Sequence, residues 1–442
     1  MSIYLLDWFK FPSYGEVNFF SCRDQEYLWQ VPPGVTQISA VLIGGGGSGG
    51  GGGNQTQGTG GSGAGLRYIN GMPVQPGEIL KIRVGCGGTG IFCGTFQNGI
   101  LEAFGQNGGF DGKNGRDSYI ASDNNANVPG RTGIGGTIIV FAGGGIGGTK
   151  DGNAQQVGPT GGTGSTTGTF AWGTIGGGNG GNGGGSGQSG GAINGGGGGA
   201  GGYTGNGGNG ARRTNQIDQA ATNGSGGGGG GGMFTSVGGS SGGGGGGGVG
   251  VVWGTGPNGL RADPVFDTNA FVFGAPGQGG SYGADGKATG QKSTANYQLA
   301  VANSNTVVTY DADGTALPTE VSKWNYSIGD GIRGFDDAYQ DDLQGPNQQF
   351  LTRVGGGGQF GGGGGGADAS GQETPKSGSG GDGAVRIIFA ARTSNTRNYP
   401  TNVSLNNSNL LTDYGWEGAA AGPPARANIG SATVNNPVGF TT

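Results

Sequence analysis

Five aspartates, Asp330, Asp336, Asp337, Asp341 and Asp342, make the best case for chemistry in this 442-residue chain. Paired carboxylates can share the work of glycoside hydrolysis. Nothing in their spacing fixes the separation of any two, and a run of like charges more commonly forms a solvated loop. Asp311-Ala312-Asp313-Gly314 matches the opening of a calcium loop, but the twelfth position is Ser322, where a bidentate glutamate is needed. Those residues read better as a hairpin turn following a strand at 306–310. The chain has no histidine, which removes Ser-His-Asp and Cys-His mechanisms and histidine-based metal sites. Fragments of the form G-x-G-x-x-G occur by chance, and none joins a strand-to-helix unit with its acidic partner. The expectation is a protein that is not an enzyme and takes no cofactor or metal.

Three cysteines, Cys22, Cys86 and Cys93, complete the reactive inventory. An odd count without metal-ligand spacing is no disulfide framework, so they read as free or buried thiols, although Cys86 and Cys93 could close a short loop.

The elements that must position any site are dominated by one residue type. Glycine occupies 120 positions, roughly four times its ordinary share of ~7%. Glycine loses the most backbone entropy on folding, and apolar residues make up only 31% of the chain, so an ordinary hydrophobic core cannot hold all of it. Collagen is excluded, because the glycines come in runs, without a strict Gly-X-Y period. Disorder is the ordinary reading of such runs. Here, however, the runs alternate with apolar segments of strand character along the whole chain.

Strands are expected at 27–31, 35–43, 65–69, 78–84, 137–142, 249–253, 270–273, 298–302, 306–310 and 384–390, with turns at Pro32-Pro33-Gly34 and Gln75-Pro76-Gly77. None carries a persuasive helical period. Between them, Gly177-Gly178-Asn179-Gly180-Gly181-Asn182 and Asn206-Gly207-Gly208-Asn209 place a side chain at every third position. Three residues per turn at ~3.1 Å rise is the polyproline II screw, which leaves every N–H and C=O free to pair sideways. A run buried alone would strand about two polar groups per residue, at ~1–3 kcal/mol each; packed runs can satisfy one another. The predicted fold is all-β: antiparallel sandwich-like strands combined with a bundle of polyglycine II helices. Its segments are an N-terminal anchor (1–28), strands with the first glycine runs (29–145), a glycine bundle with loop insertions (146–383, the largest at 287–353), and a closing strand with C-terminal tail (384–442).

A net charge of −5 has the wrong sign for nucleic-acid binding. No apolar run is long enough for a membrane-spanning helix. The early residues lack the basic-then-apolar order of a secretion signal, so synthesis in the cytoplasm without membrane insertion is expected.

Two stretches resemble a known family. Trp29-Gln30-Val31-Pro32-Pro33-Gly34-Val35-Thr36, followed by Leu42-Ile43 and a glycine run, is similar to the opening of glycine-rich domains in phage tail-fibre-like proteins. Gly383-Ala384-Val385-Arg386-Ile387-Ile388-Phe389, with Arg392 and Tyr399-Pro400-Thr401-Asn402, resembles a closing segment of virion proteins in cyanophages and related marine phages. Phe389 departs from the tryptophan frequent there, while the aromatic before proline is kept. A broader likeness is to adhesins whose polyglycine-helix domain carries receptor-binding loops.

The resemblance implies an external virion component, a tail fibre or adhesin, with other virion proteins and a host-surface glycan or protein as partners, and a homo-oligomer, for which fibres suggest a trimer. The alternative is an architectural part such as a capsid fibre, decoration protein or baseplate connector. An ice-binding or surface-matrix protein is a third reading, disfavoured by the closing segment. Tyr203, Arg212, Arg213, Phe234, Trp324 and Tyr326 are the candidate receptor contacts, as aromatic and cationic loop tips. Trp8, Phe9 and Phe11 are the candidate attachment residues, in an aromatic-dense segment that must either pack on this chain or dock on an assembly.

Overall fold

A computed structural model describes residues 14–400 except 21, 23–25, 53–57, 91–93, 98–99, 104–109, 124–127, 129–137, 151–161, 164–167, 171–172, 186–191, 215–216, 233, 237–242, 252–257, 263–276, 282, 284–285, 287–289, 293–296, 301–306, 311–351, 354, 359, 368–376 and 391–396. The described residues form strands and no helix, as an all-β reading requires, and every strand ladder is antiparallel.

The largest sheet has six strands in the order Tyr14–Phe19, Ala384–Ala390, Gln37–Ile43, Leu66–Pro73, Gly173–Gly176 and Gly168–Phe170. All four sequence segments contribute to it, so their boundaries are not boundaries between sheets. A four-stranded sheet runs Tyr27–Gln30, Ile79–Arg83, Ser118–Ala121 and Ile138–Ala142. The two turns anticipated from proline and glycine close where the chain needs them. Val35 N–H donates to the Pro32 carbonyl at 3.2 Å and Glu78 N–H to that of Gln75 at 3.0 Å. Gly34 and Gly77 supply the positive φ of 79° and 85° that a side chain would resist.

Side-chain alternation divides the apolar residues of the six-stranded sheet between two clusters. Ile38, Ala40 and Leu42, with Val385, Ile387 and Phe389, meet Trp29, Leu80, Ile82 and Ile120 of the four-stranded sheet. Val41, Ile43, Ala384 and Ile388 face the other way, onto Ala200, Tyr203, Val249, Phe360 and Tyr399. Gln37–Ile43 is therefore buried on both faces, which is why its sequence reads as an almost unbroken apolar run. Each such aliphatic side chain, fully buried, contributes about 1.5–3 kcal/mol.

Cys22 and Cys86 form a disulfide with Cα atoms 4.9 Å apart. This corrects the expectation of free or buried thiols for both; Cys93 lies outside the described residues. The bond ties the chain just after the N-terminal edge strand to the segment after Ile79–Arg83. Closing a loop across a sequence separation of 64 removes entropy from the unfolded chain, worth about 2–4 kcal/mol. Cys22→Ser should lower the urea midpoint by a corresponding amount, and dithiothreitol should lower the wild type's midpoint but not the variant's.

Candidate functional site on the glycine lattice

Beyond the sheets, the glycine-rich segments hydrogen-bond to one another through their backbones in a pattern with a period of three. From Gly44 onward, Gly44, Gly47 and Gly50 donate to the carbonyls of Gly65, Ser62 and Thr59. Gly45, Ser48 and Gly51 donate to those of Arg116, Lys113 and Phe110, and Gly46 and Gly49 to those of Gly381 and Gly378. Each successive amide thus points to a different neighbour, and each neighbour is met again three residues later.

The row Gly195 to Gly202 has six neighbours. It donates to the rows containing Gly58-to-Ala64, Gly205-to-Ala211 and Gly244-to-Gly247, and accepts from those containing Gly181-to-Gly184, Gly228-to-Gly231 and Gly363-to-Gly366, with distances of 2.7–3.3 Å. Some of these rows run parallel to it and others antiparallel. That mixture is possible because the bonds radiate around the row, whereas a strand bonds only within its sheet. Glycine is obligatory inside: a Cβ on Gly198 would collide with the backbone of Gly181 and Asn182, and one on Gly199 with that of Gly228 and Gly229.

At the rim, where no further row among the described residues supplies a carbonyl, side chains take its place. Asp111, Asn114 and Asp117 accept the amides of Lys150, Gly147 and Gly144 through Oδ1 at 2.8–2.9 Å. On another part of the rim Asn206 and Asn209 accept from Asn179 and Asn182 at 3.0 and 2.9 Å, and Asn223 accepts from Arg261 at 2.8 Å. These Asn and Asp residues recur at every third position because only one residue in three faces outward. The spacing was visible in the sequence; its role as a substitute backbone acceptor was not.

The lattice has two unlike ends. At one, rows continue directly into sheet strands: Ile43 into Gly44, Ala142 into Gly143, Gly383 into Ala384. At the other, row ends lie side by side. Gly52 and Gly58 both donate to Ala367, Gly51 pairs with Phe110, Thr59 donates to Thr149, Gly196 to Ala211, Ala211 to Gly231, and Gly355 to Gly243. Short strand pairs leave from this same end: the hairpin of Arg212–Thr214 with Ile217–Gln219, and the two-stranded ladder of Ala192–Asn194 with Phe234–Ser236. Asn194 of the second is bonded back to the lattice by accepting the Gly58 amide.

The candidate receptor residues separate accordingly. Arg212 and Arg213 sit on the hairpin and Phe234 on the ladder. Tyr203 does not belong with them: it is buried at the sheet end, and a ring with 3% exposure cannot touch a receptor. Its ring stacks on Tyr399 at 6.0 Å and Tyr68 at 6.1 Å, so an aromatic in a glycine-rich stretch here marks the junction between lattice and sheet. Trp324 and Tyr326, the aspartates from Asp330 to Asp342, and Trp8, Phe9 and Phe11 lie outside the described residues. Of the aromatic N-terminal segment, the described part packs on its own chain: Phe19 enters the core and Phe20 stacks on Phe360.

The same junction holds a buried charge cluster. Glu16 on the edge strand accepts from Arg386 at 2.8 Å and Arg397 at 2.9 Å through Oε2. Arg386 also donates to the Val251 carbonyl, and Arg397 to that of Gly15. Burial alone would raise the Glu16 pKa, but the two guanidiniums outweigh it and hold the carboxyl below its ordinary value. Burial likewise pushes the Tyr399 hydroxyl up to about 12. Asn70 clamps the Tyr399 backbone from both sides, at 2.8 Å each. The cluster fastens the first and last described segments onto one sheet and offers no accessible reactive atom. Among the described residues no group of His, Cys, Asp and Glu could hold a metal ion, and no helix is long and apolar enough to cross a membrane.

No protein-family model matches the chain, and no curated protein matches it.

Proposed function

We propose that this chain is a structural, non-enzymatic virion protein, a tail-fibre or adhesin component that presents loops to a host-surface glycan or protein. In this reading the lattice rows are polyglycine II helices, the six-stranded sheet and the four-stranded sheet that starts at Tyr27–Gln30 form a β-sandwich base, and the lattice is the stiff spacer between base and loops. A row of nine residues at ~3.1 Å rise spans roughly 28 Å. The observation that carries the reading is the common end of the rows. The strand pairs bearing Arg212, Arg213 and Phe234 emerge there, and Gly355, which follows the largest low-glycine insertion, is bonded there to Gly243. A rigid scaffold that gathers insertions at one end is how binding proteins vary specificity without disturbing the fold. The resemblance of the opening and closing segments to phage fibre and virion proteins points the same way.

Antibody against the purified chain, used to gold-label particles in electron microscopy, tests the location. Labelling at a tail or fibre tip, with adsorption to host cells inhibited by the free chain, is the expected result. Labelling confined to head, collar or baseplate, without inhibition, would favour the architectural alternative, and unlabelled particles would end the virion reading.

A further inference from the structure

We propose that one side of the lattice is itself a docking face, fitted to a neutral polysaccharide. The proposal rests on the adhesin reading for the source of the glycan, but places its contact on the flank of the lattice as well as beyond its end. Four rows lie side by side there. Gly207 and Gly210 donate to Asn179 and Asn182; Ser225 and Thr222 donate to Asn206 and Asn209; Gly224 donates to Gly259. Side chains from these rows cross-link them: Asn206 and Asn209 accept from the first row, Thr222 from Asn209, Asn223 from Arg261 and Asn258 from Gly226, at 2.6–3.0 Å. All five of these side-chain acceptors belong to exposed residues.

This arrangement fixes the chemistry of the face. An asparagine whose Oδ1 is committed to a backbone amide has a set amide plane, and the groups remaining for a ligand are its two Nδ2–H donors. Asn206 and Asn209 repeat such donors at three-residue spacing, ~9 Å along a row at ~3.1 Å per residue, and Asn223 and Asn258 continue them sideways. Donors held in place before binding lose little rotamer freedom on contact. Many weak contacts at fixed spacing favour an extended repeating ligand by avidity. Among the described residues the face carries a single charge, the exposed Arg261, whose guanidinium donates to the Ala221 carbonyl at 3.4 Å, whereas the other rim is built from Asp111, Lys113, Arg116 and Asp117. That argues against a polyanion and against an apolar partner, and for sugar chains whose ring, glycosidic and hydroxyl oxygens accept hydrogen bonds at regular intervals.

Substituting aspartate separates binding from folding. Asp111 and Asp117 show that an aspartate caps a lattice amide as asparagine does. Asn206→Asp, Asn209→Asp and Asn223→Asp together would therefore keep the acceptors and remove the donors. Ser225→Trp would cover the same face sterically, leaving its backbone bond to Asn206 in place. The full-length chain is applied to immobilised neutral glucans, mannans and galactans, alongside alginate and a sulfated galactan, at low and high salt. Retention on a neutral polysaccharide that is indifferent to salt, reduced at least tenfold by both variants at unchanged melting temperature, is the expected result. Neutral retention unaffected by either variant would overturn the face assignment and leave the loop end as the binding site. Retention on none of the neutral polysaccharides, or only on the acidic ones, would overturn the proposal outright, while particle labelling decides the virion reading independently.

Discussion

Gly198→Ala should destabilise the protein by about 3–6 kcal/mol, more than its single added methyl group suggests. The amide of Gly198 donates to Gly61 at 2.9 Å and its carbonyl accepts from Gly363 at 2.8 Å, while the new Cβ would overlap the backbone of the Gly181 row. No flexible side chain stands there to give way, so relief requires one row to move off another. Overpacking costs about 1–3 kcal/mol, and each lattice bond that opens strands a buried donor and acceptor at ~1–3 kcal/mol per group. The lower entropy of alanine in the unfolded chain returns only ~0.4–1 kcal/mol. Gly77→Ala is the control, because no atom lies within 4 Å of a Cβ placed there. It should cost ~1 kcal/mol, through its positive φ alone. Urea midpoints of the two variants measure the contrast. Amide exchange at position 198 itself, Gly181 and Gly363 should accelerate only in the Gly198 variant, and a near-neutral Gly198→Ala would mean that the rows do not touch.

That contrast also explains what the sequence could disclose. The expected strand at 384–390 coincides with Ala384–Ala390, and those at 35–43, 78–84 and 137–142 contain Gln37–Ile43, Ile79–Arg83 and Ile138–Ala142. These are β-branched apolar runs bounded by turn residues, a local signal strong enough to survive the glycine around it. Short pairs such as Gly168–Phe170 with Gly173–Gly176 were illegible, because their strand character comes from neighbours and not from their own residues. Expected strands at 249–253 and 270–273 fared differently. Val249 makes a single bridge to Gly280 within a lattice row, and 270–273 lies outside the described residues.

Partner choice was equally hidden. Each glycine row looks like every other, so nothing local says that Gly198 should bond to Gly61 and Gly363. The same holds for Cys22 and Cys86, where an odd count of cysteines had read as free or buried thiols. For the candidate site, chain order marked the stretches carrying Arg212, Arg213 and Phe234 as interruptions of the glycine pattern, although the end of the first, from Ala221, belongs to a lattice row. It grouped Tyr203 with them because a lone aromatic between glycines looks exposed until the sheet that covers it is known.

Glu16→Leu should cost about 3–5 kcal/mol, the penalty of breaking a buried ion pair and leaving its partner charged. Here two partners remain: Arg386 is nearly inaccessible at 2% exposure and Arg397 at 3%, and without the carboxylate the two guanidiniums share a buried junction. Both hold backbone carbonyls as well, so neither can swing out without opening further bonds.

Acid should act on the same group. The folded-state pKa of Glu16 lies below its unfolded value, so its stabilising contribution is complete above the ordinary carboxylate range and disappears as pH falls through the depressed folded value. Stability measured by urea from pH 7 downward should therefore fall in strong acid by more in the wild type than in Glu16→Leu, which has already lost that contribution. Replacing all three charged residues, Glu16→Leu with Arg386→Met and Arg397→Met, should recover most of the single variant's loss, because apolar side chains of similar volume need no counter-charge. If the triple variant were no more stable than Glu16→Leu alone, the cluster's value would lie in its backbone hydrogen bonds and not in charge pairing. The tie between the first strand and the last would then be a matter of geometry that no apolar residue can supply.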